Sequence, residues 1–279
     1  MDFDNADLAK IILSEVNYYR FTGYALQFRD KDSPDDYIPG TKFETVWSIY
    51  QFDAKMRCIL KPYLDILELY ARTQIAYGFV MVKCRNAPYD QHYEPSNFYN
   101  KDSHYKTIIS SLNREKENNK DSLFVIHHDT KYDGKMPLWV IVELLSFTNL
   151  SKLFSAMYLS EQDTIARNIG TTRLILKNHL HCMANLRNKV AHAGRLYNTV
   201  FNPPAKLSNK YLQRNPNIRA DTLFAYIIAL MRRLPCDADK SKLAVEIIDI
   251  IQQYNDRIDL FLIGFPDDYI KHINNEVKK

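Results

Sequence analysis

The stretch Arg187-Asn188-Lys189-Val190-Ala191-His192-Ala193-Gly194-Arg195-Leu196-Tyr197-Asn198 places an arginine, an amide and a histidine on the last turns of a predicted helix. Thr172 is expected to cap that helix, which the pattern carries to about Gly194. At about 100° per residue from Arg187, Asn188 falls near ~100°, His192 near ~140° and, if the helix continues, Arg195 near ~80°. Leu186 and Val190 fall near ~260° and ~300°, on the opposite flank. One face is therefore polar and cationic, and the other can anchor in a core. Asn188 and His192 are i, i+4 neighbours, so the amide can orient the imidazole or join it at a ligand.

Outward from this helix the same period recurs. Leu8, Ile11, Ile12, Glu15 and Tyr19 predict a helix that ends at Gly23. Thr41 with Glu44 reads as a capping box opening a second, whose apolar stripe is Val46, Ile49, Tyr50, Met56, Ile59 and Leu60. Pro62 should bend or split it, with the second part running from about Tyr63 to Val82. Residues 84–104 suggest an irregular excursion with short helices, and a helix is expected from Lys101 to Asn119. Pro137 at a first helical position opens the apolar run 138–145, and Ser160-Glu161-Gln162-Asp163 caps a helix closed by Gly170. After the break at Asn202-Pro203-Pro204, helices near Ala220–Leu234 and Lys240–Tyr254 precede a polar tail. No strand-type alternation or internal repeat interrupts this pattern. The chain is predicted to be all-α: one domain over residues 1–200, with a C-terminal helical extension over 201–279 packed on it.

Composition narrows the function. Seven glycines in 279 residues, with no G-x-G-x-x-G or Walker-type sequence, argue against a nucleotide-binding α/β enzyme, and no cofactor is expected. Met1-Asp2-Phe3-Asp4 has no apolar signal core, and no run approaches a membrane span. Cys58, Cys84, Cys182 and Cys236 are scattered without a C-x-x-C pair, which suggests reduced thiols in a cytoplasmic protein.

Charge is concentrated around the quoted stretch. Between Arg167 and Arg233 stand twelve Lys or Arg residues and one acid, Asp221, a net +11. The whole chain carries +4, which leaves about −7 for the remainder. Such a basic segment is the electrostatic footprint of a phosphodiester ligand, although it also suits other acidic partners. Arg195, Lys189, Lys206, Lys210, Arg214 and Arg219 are the candidates to hold RNA backbone.

Arg187, Asn188 and His192 suit RNA cleavage without a metal. A histidine takes the proton of the ribose 2′-hydroxyl or protonates the departing 5′-oxygen. A guanidinium grips phosphate oxygens and stabilises the charge growing on phosphorus. One imidazole cannot readily stand on both sides of a phosphate, so a homodimer with a composite groove is predicted. The bland alternative is that an arginine and a histidine five residues apart only cap, solvate or bridge charges.

Other residues invite weaker readings. His179 and Cys182 are one turn apart, but His192 is ten residues beyond Cys182, about 15 Å along the axis. No shared metal site is expected there, nor at His181. His127-His128-Asp129 reads as a turn-stabilising loop before Pro137, or as a wall of the groove. Glu143, in a nearly all-apolar run, would need a partner such as Arg20 or Arg57 if buried. Some of the nineteen tyrosines are candidates to stack on bases.

Arg187-Asn188, Ala191-His192 and Arg195-Leu196-Tyr197-Asn198 resemble the R-N-x-x-A-H-x-x-R-L-[WY]-N signature of the Abi-like abortive-infection proteins (AbiD/AbiF type), within the HEPN superfamily. Tyr19-Arg20-Phe21-Thr22-Gly23-Tyr24 resembles the family's Y-R-x-x-G-Y element. Tyr50-Gln51-Phe52-Asp53 with Arg57 resembles its Y-x-F-D-x-x-L-R helix, Met56 standing at the leucine position. His127, Pro137-Leu138-Trp139, Glu143 and Ser146-Phe147 are similar to its central block. The likeness covers about residues 10–200 and fits the last ~80 less clearly.

The resemblance implies a HEPN-like helical bundle with additional terminal helices, a dimer, and metal-independent endoribonuclease activity in antiphage defence, in some relatives restrained by a non-coding RNA. It carries the catalytic roles to Arg187, Asn188 and His192, with Arg195 a lesser phosphate contact. Ala193-Gly194 departs from the bulkier pair of many relatives, and Gly194 is placed to end the helix and swing Arg195 away. Two alternatives stay open: an RNA-binding module without catalysis, and a helical factor whose basic face docks an acidic partner.

Overall fold

The computed structural model describes residues 1–99 and 103–278. Among them the chain is all-α, with two isolated β-bridges and no strand. Helices α1 (Ala6–Glu15) and α2 (Tyr18–Ala25) precede α3 (Phe43–Lys83). Then come α4 (His104–Asn118), α5 (Leu123–Lys131), α6 (Leu138–Ile141), α7 (Phe147–Ala156), α8 (Leu159–Asn168) and α9 (Arg173–Ala191). The C-terminal part holds α10 (Asn209–Arg214), α11 (Leu223–Met231), α12 (Asp237–Gln253), α13 (Leu260–Ile263) and α14 (Tyr269–Val277).

The 41-residue α3 is the spine, roughly 60 Å long at helical rise. It packs against α2, α6, α7, α8, α9, α11 and α12, which explains why buried residues recur along its whole length, from Phe43 to Phe79. Gly78 admits the side chain of Ile165 from α8 so closely that a Cβ there would overlap it. Helix α9 lies against α3, α7, α8 and α11, with Leu176, Leu180, Met183 and Leu186 in the core. Nine consecutive residues of α11, Leu223–Met231, are all buried, as expected for a helix enclosed on every side.

Several sequence expectations are corrected. The first helix is two: Asn17 breaks the run and caps α2 by accepting from the Tyr19 amide, and Gly23 lies inside α2 rather than at its end. Thr41 and Glu44 form no capping box. The Thr41 hydroxyl donates to the Ile38 carbonyl, while Glu44 accepts from the Asp4 and Asn5 amides and so ties the N-terminus to α3. Pro62 does not divide α3. Pro62 and Cys58 are both exposed, so the Cys58 carbonyl deprived of its donor faces water.

The helix expected from Lys101 is observed from His104, and Lys101 lies outside the described residues. Pro137 precedes its helix by one position, and the run 138–145 is a short helix followed by a 3-10 turn, Val142–Leu144. Tyr158, not Ser160, stands at the start of α8. The expected polar tail contains α13 and α14.

Two histidines are buried uncharged. Neither ring nitrogen of His92 has a hydrogen-bond partner among the described residues, and burial lowers its pKa to about 4. Burial, and secondarily the Arg233 charge, lower that of His179 to about 3. Unfolded, both titrate near 6.5, so the unfolded chain takes up protons first as pH falls. Their contribution to stability is complete above about pH 6.5 and declines below it, by up to about 2.7 kcal/mol per pH unit while both differ in protonation. Urea unfolding between about pH 6 and 5 is expected to show this slope, and His179→Met to reduce it by about half. An unchanged slope in that variant would contradict a buried neutral His179.

Candidate active site

Helix α9 ends in a motif that its sequence only partly announces. His192 is the C-cap, Ala193 takes the left-handed conformation at φ 51°, and the Gly194 amide reaches back to the Lys189 carbonyl at 2.6 Å. The Ala193 amide meets the Val190 carbonyl at 3.2 Å, completing a Schellman arrangement. Glycine usually occupies the left-handed position; alanine there is strained and must be held.

Three arginines and an aspartate hold it. Arg20 of α2 donates to the Ala193 carbonyl, and Arg57 of α3 to the Gly194 carbonyl at 3.2 Å. The Asp53 carboxylate accepts from the Leu196 and Tyr197 amides at 3.0 and 2.7 Å, from the Tyr24 hydroxyl at 2.7 Å, and from Arg57. Arg195 donates to the Gly23 carbonyl. The helix thus ends four residues before Arg195, and that side chain turns to α2 rather than continuing the cationic face. In this position it braces α2 against the turn.

Arg187 points elsewhere. Its Nε lies 3.0 Å from Glu68 Oε2, and Glu68 Oε1 accepts from Arg72 Nη2 at 2.6 Å. The carboxylate is buried, while Arg187 keeps about a third of its side chain exposed. Glu68 is the one acid paired with Arg187 among the described residues, and the exposed part of the side chain leaves it open to a phosphate. Arg72 also donates to the Val142 and Glu143 carbonyls and sits 3.5 Å from Glu143 Oε2. Glu143 is therefore half exposed and paired with Arg72, not buried against Arg20 or Arg57.

Asn188 donates to the Thr148 hydroxyl of α7 at 3.1 Å rather than to His192. His192 is exposed at the helix end, with no side-chain hydrogen bond or ion pair among the described residues. Arg187 and His192 are five residues apart, about 7.5 Å along the axis. The structure brings the Arg187–Asn188 pair together with Glu68, Arg72 and Thr148, which sequence reasoning missed. Glu68 and Arg72 carried a signal: an acid and a base at i, i+4 within the apolar face Leu64, Leu67, Ala71, Ile75.

The candidate backbone-binding cations are spread over the end of α9, helix α10 and the loops beside it. Lys206, Lys210 and Arg214 are exposed, with no side-chain ion pair among the described residues. The loop under Lys206 is fastened to α9: Asn178 accepts from the Lys206 amide at 2.6 Å and donates to the Pro204 carbonyl at 3.0 Å. Lys189 lies 5.8 Å over the Phe201 ring, and Arg219 lies 3.9 Å from Asp221 and 5.1 Å over the Phe261 ring. His127, His128 and Asp129 sit in α5, not in a loop. Asp129 pairs with Lys116 at 2.6 Å, and His128 Nδ1 is 2.7 Å from the Phe124 carbonyl. Around Cys182, Sγ meets the Pro203 carbonyl at 3.5 Å while His179 Nε2 meets the Lys206 carbonyl at 3.0 Å, so each is committed to backbone. No helix among the described residues is long and apolar enough to cross a membrane.

The elements that meet here, Arg20 on α2, Asp53 and Arg57 on α3 and the turn after α9, all lie in the first two hundred residues of the bundle. The chain belongs to the Abi-like protein family, whose sequence profile matches residues 11–198. No curated protein and no solved structure matches the chain.

Bracing and chemistry separate in stability. Asp53→Ala removes the acceptor of two backbone amides and leaves Arg57 buried without its partner, and is expected to cost about 3–5 kcal/mol. Exposed His192→Ala is expected to change stability by less than about 0.5 kcal/mol. Urea denaturation measures both, and an equal effect of the two substitutions would contradict the assignment of Asp53 as the brace.

Proposed function

We propose that the protein is a metal-independent endoribonuclease of HEPN type, acting as an abortive-infection effector against phage. The observation that carries the reading is the disposition of Arg187. Buried Glu68 holds its Nε at 3.0 Å, about a third of the side chain stays exposed, and exposed His192 follows five residues later at the helix end. The basic segment Arg167–Arg233 supplies sequence-independent attraction for RNA, with Lys189, Lys206, Lys210, Arg214 and Arg219 on its surface.

In the reaction, a ribose 2′-oxygen attacks the adjacent phosphorus and the bond to the 5′-oxygen breaks. The products are a 2′,3′-cyclic phosphate and a 5′-hydroxyl. His192 takes the 2′-hydroxyl proton, and Arg187 stabilises the charge on the phosphoryl oxygens. Asn188, held by Thr148, fixes the helix face and offers its amide oxygen to the substrate. The proton for the departing 5′-oxygen comes from His192 of a second copy, so the active form is a homodimer that grips one phosphate from both sides. Exposure of His192 at a helix end suits such a composite site. DNA lacks the 2′-hydroxyl and is spared. A bound non-coding RNA is one means of restraint.

One observation favours a second reading, an RNA-binding module that does not cleave. No group among the described residues orients the His192 ring, whereas a working base is usually held by a third group. RNA cleavage in EDTA distinguishes the two. Wild type is expected to cut and leave cyclic-phosphate ends. His192→Ala should lose at least about 10²-fold, and Arg187→Ala about 10²- to 10³-fold, with folding unchanged. Tight binding with intact RNA ends would select the second reading, and equal cleavage by wild type and His192→Ala would reject the role of His192.

A further inference from the structure

Where α11 ends against the segment joining α8 to α9, Arg232, Arg233 and Lys240 line an open cavity of about 470 Å³, with Tyr70 of α3 and Glu276 of α14 in its wall. The cavity shares no lining residue with Arg187, Asn188 and His192, and its three cations lie beyond the family match at 11–198.

The cations differ in how they are satisfied. Arg232 makes a two-pronged pair with Glu276, at 2.9 and 2.6 Å, and stacks over the Tyr211 ring at 4.7 Å. Lys240 pairs at 2.8 Å with Asp237, an aspartate largely in solvent, whose hold is screened by water. Arg233 is 9% exposed. Its Nη1 donates to the Ile169 carbonyl at 3.3 Å, its Nε has no hydrogen-bond partner, and it has no ion pair among the described residues. Burial, then the charge of Arg232, lower its pKa to about 10, so it remains cationic at neutral pH. A buried guanidinium without a counter-ion is costly to fold around, and an anion from solution removes that cost.

We propose that this cavity binds a phosphate-bearing small molecule of about mononucleotide size, with Arg233, Arg232 and Lys240 on the phosphate. Two guanidinium groups and an ammonium converging on one space match the charge and the acceptor geometry of a phosphate monoester. Glu276 does not oppose it, because its carboxylate is already neutralised by Arg232. The volume lies within the range of small-molecule sites. Tyr70, Ile169 and Leu234 supply an apolar wall for the remainder of the ligand. Arg233 also borders His179, Leu180 and Met183 of α9, so the ligand would adjoin the helix that carries Arg187.

Calorimetry and thermal unfolding of the full chain with inorganic phosphate, adenosine, AMP and UMP test this, independently of any RNA cleavage. AMP or UMP is expected to bind and raise the unfolding midpoint, more strongly than inorganic phosphate, and adenosine is not. Arg233→Met should weaken binding at least about tenfold, as for loss of a charged hydrogen bond. In phosphate-free buffer its midpoint should match or exceed that of wild type, which a purely structural arginine would not allow. Lys240→Ala, at the cavity's edge, should weaken binding without unfolding the protein. The proposal is overturned if no phosphate-bearing probe binds at millimolar concentration, if adenosine binds as well as AMP, or if both variants bind like wild type. It also fails if Arg187→Ala abolishes the binding, which would place the ligand in the RNA site.

Discussion

The Asp53 carboxylate is the point on which the site depends. It is fully buried in α3, yet it accepts from two backbone amides of the 194–197 loop, from Tyr24 of α2 and from Arg57. One side chain thereby joins α2, the spine and the segment that follows His192. A buried carboxylate is stable only when its oxygens are well supplied with donors, and here two loop amides, a tyrosine hydroxyl and a guanidinium supply them. The strain of left-handed Ala193 is tolerated because Arg20 and Arg57 hold the carbonyls on either side of the turn.

A second carboxylate plays the corresponding part for Arg187. Glu68 bridges Arg187 and Arg72, and Arg72 passes the connection to the turn at Val142–Glu143. Asp53 and Glu68 are fifteen residues apart on one continuous helix, about 22 Å along its axis. The unbroken course of α3 through Pro62 therefore sets the spacing between the brace of the loop and the brace of the arginine. A break at Pro62 would uncouple them.

The basic segment divides into parts with different surroundings. Lys206 on a fastened loop and Lys210 and Arg214 on α10 stand in solvent, where long-range attraction is their natural contribution. Arg195 is absorbed as a strut, and Arg232 and Arg233 face a cavity of their own. The same formal charge thus serves attraction, bracing and a separate pocket, according to burial and partner.

The all-α class, the course of α9 and the exposed Arg187–His192 end were legible in the sequence, because apolar residues every third or fourth position and local caps act within a few turns of chain. Residues far apart in sequence were not legible in the same way. The Y-R-x-x-G-Y element, Asp53 with Arg57, and Arg195 through Tyr197 could be noticed as separate motifs, but only packing reveals that they touch one another. Glu143 and the His127–Asp129 group were placed with the wrong partner or the wrong backbone for that reason, and the contacts of Asn188 with Thr148 and of Arg195 with Gly23 had no local signal. A side chain's hydrogen-bond partner is chosen among everything that burial brings within about 3 Å, and spacing along the chain constrains only the neighbours on its own helix.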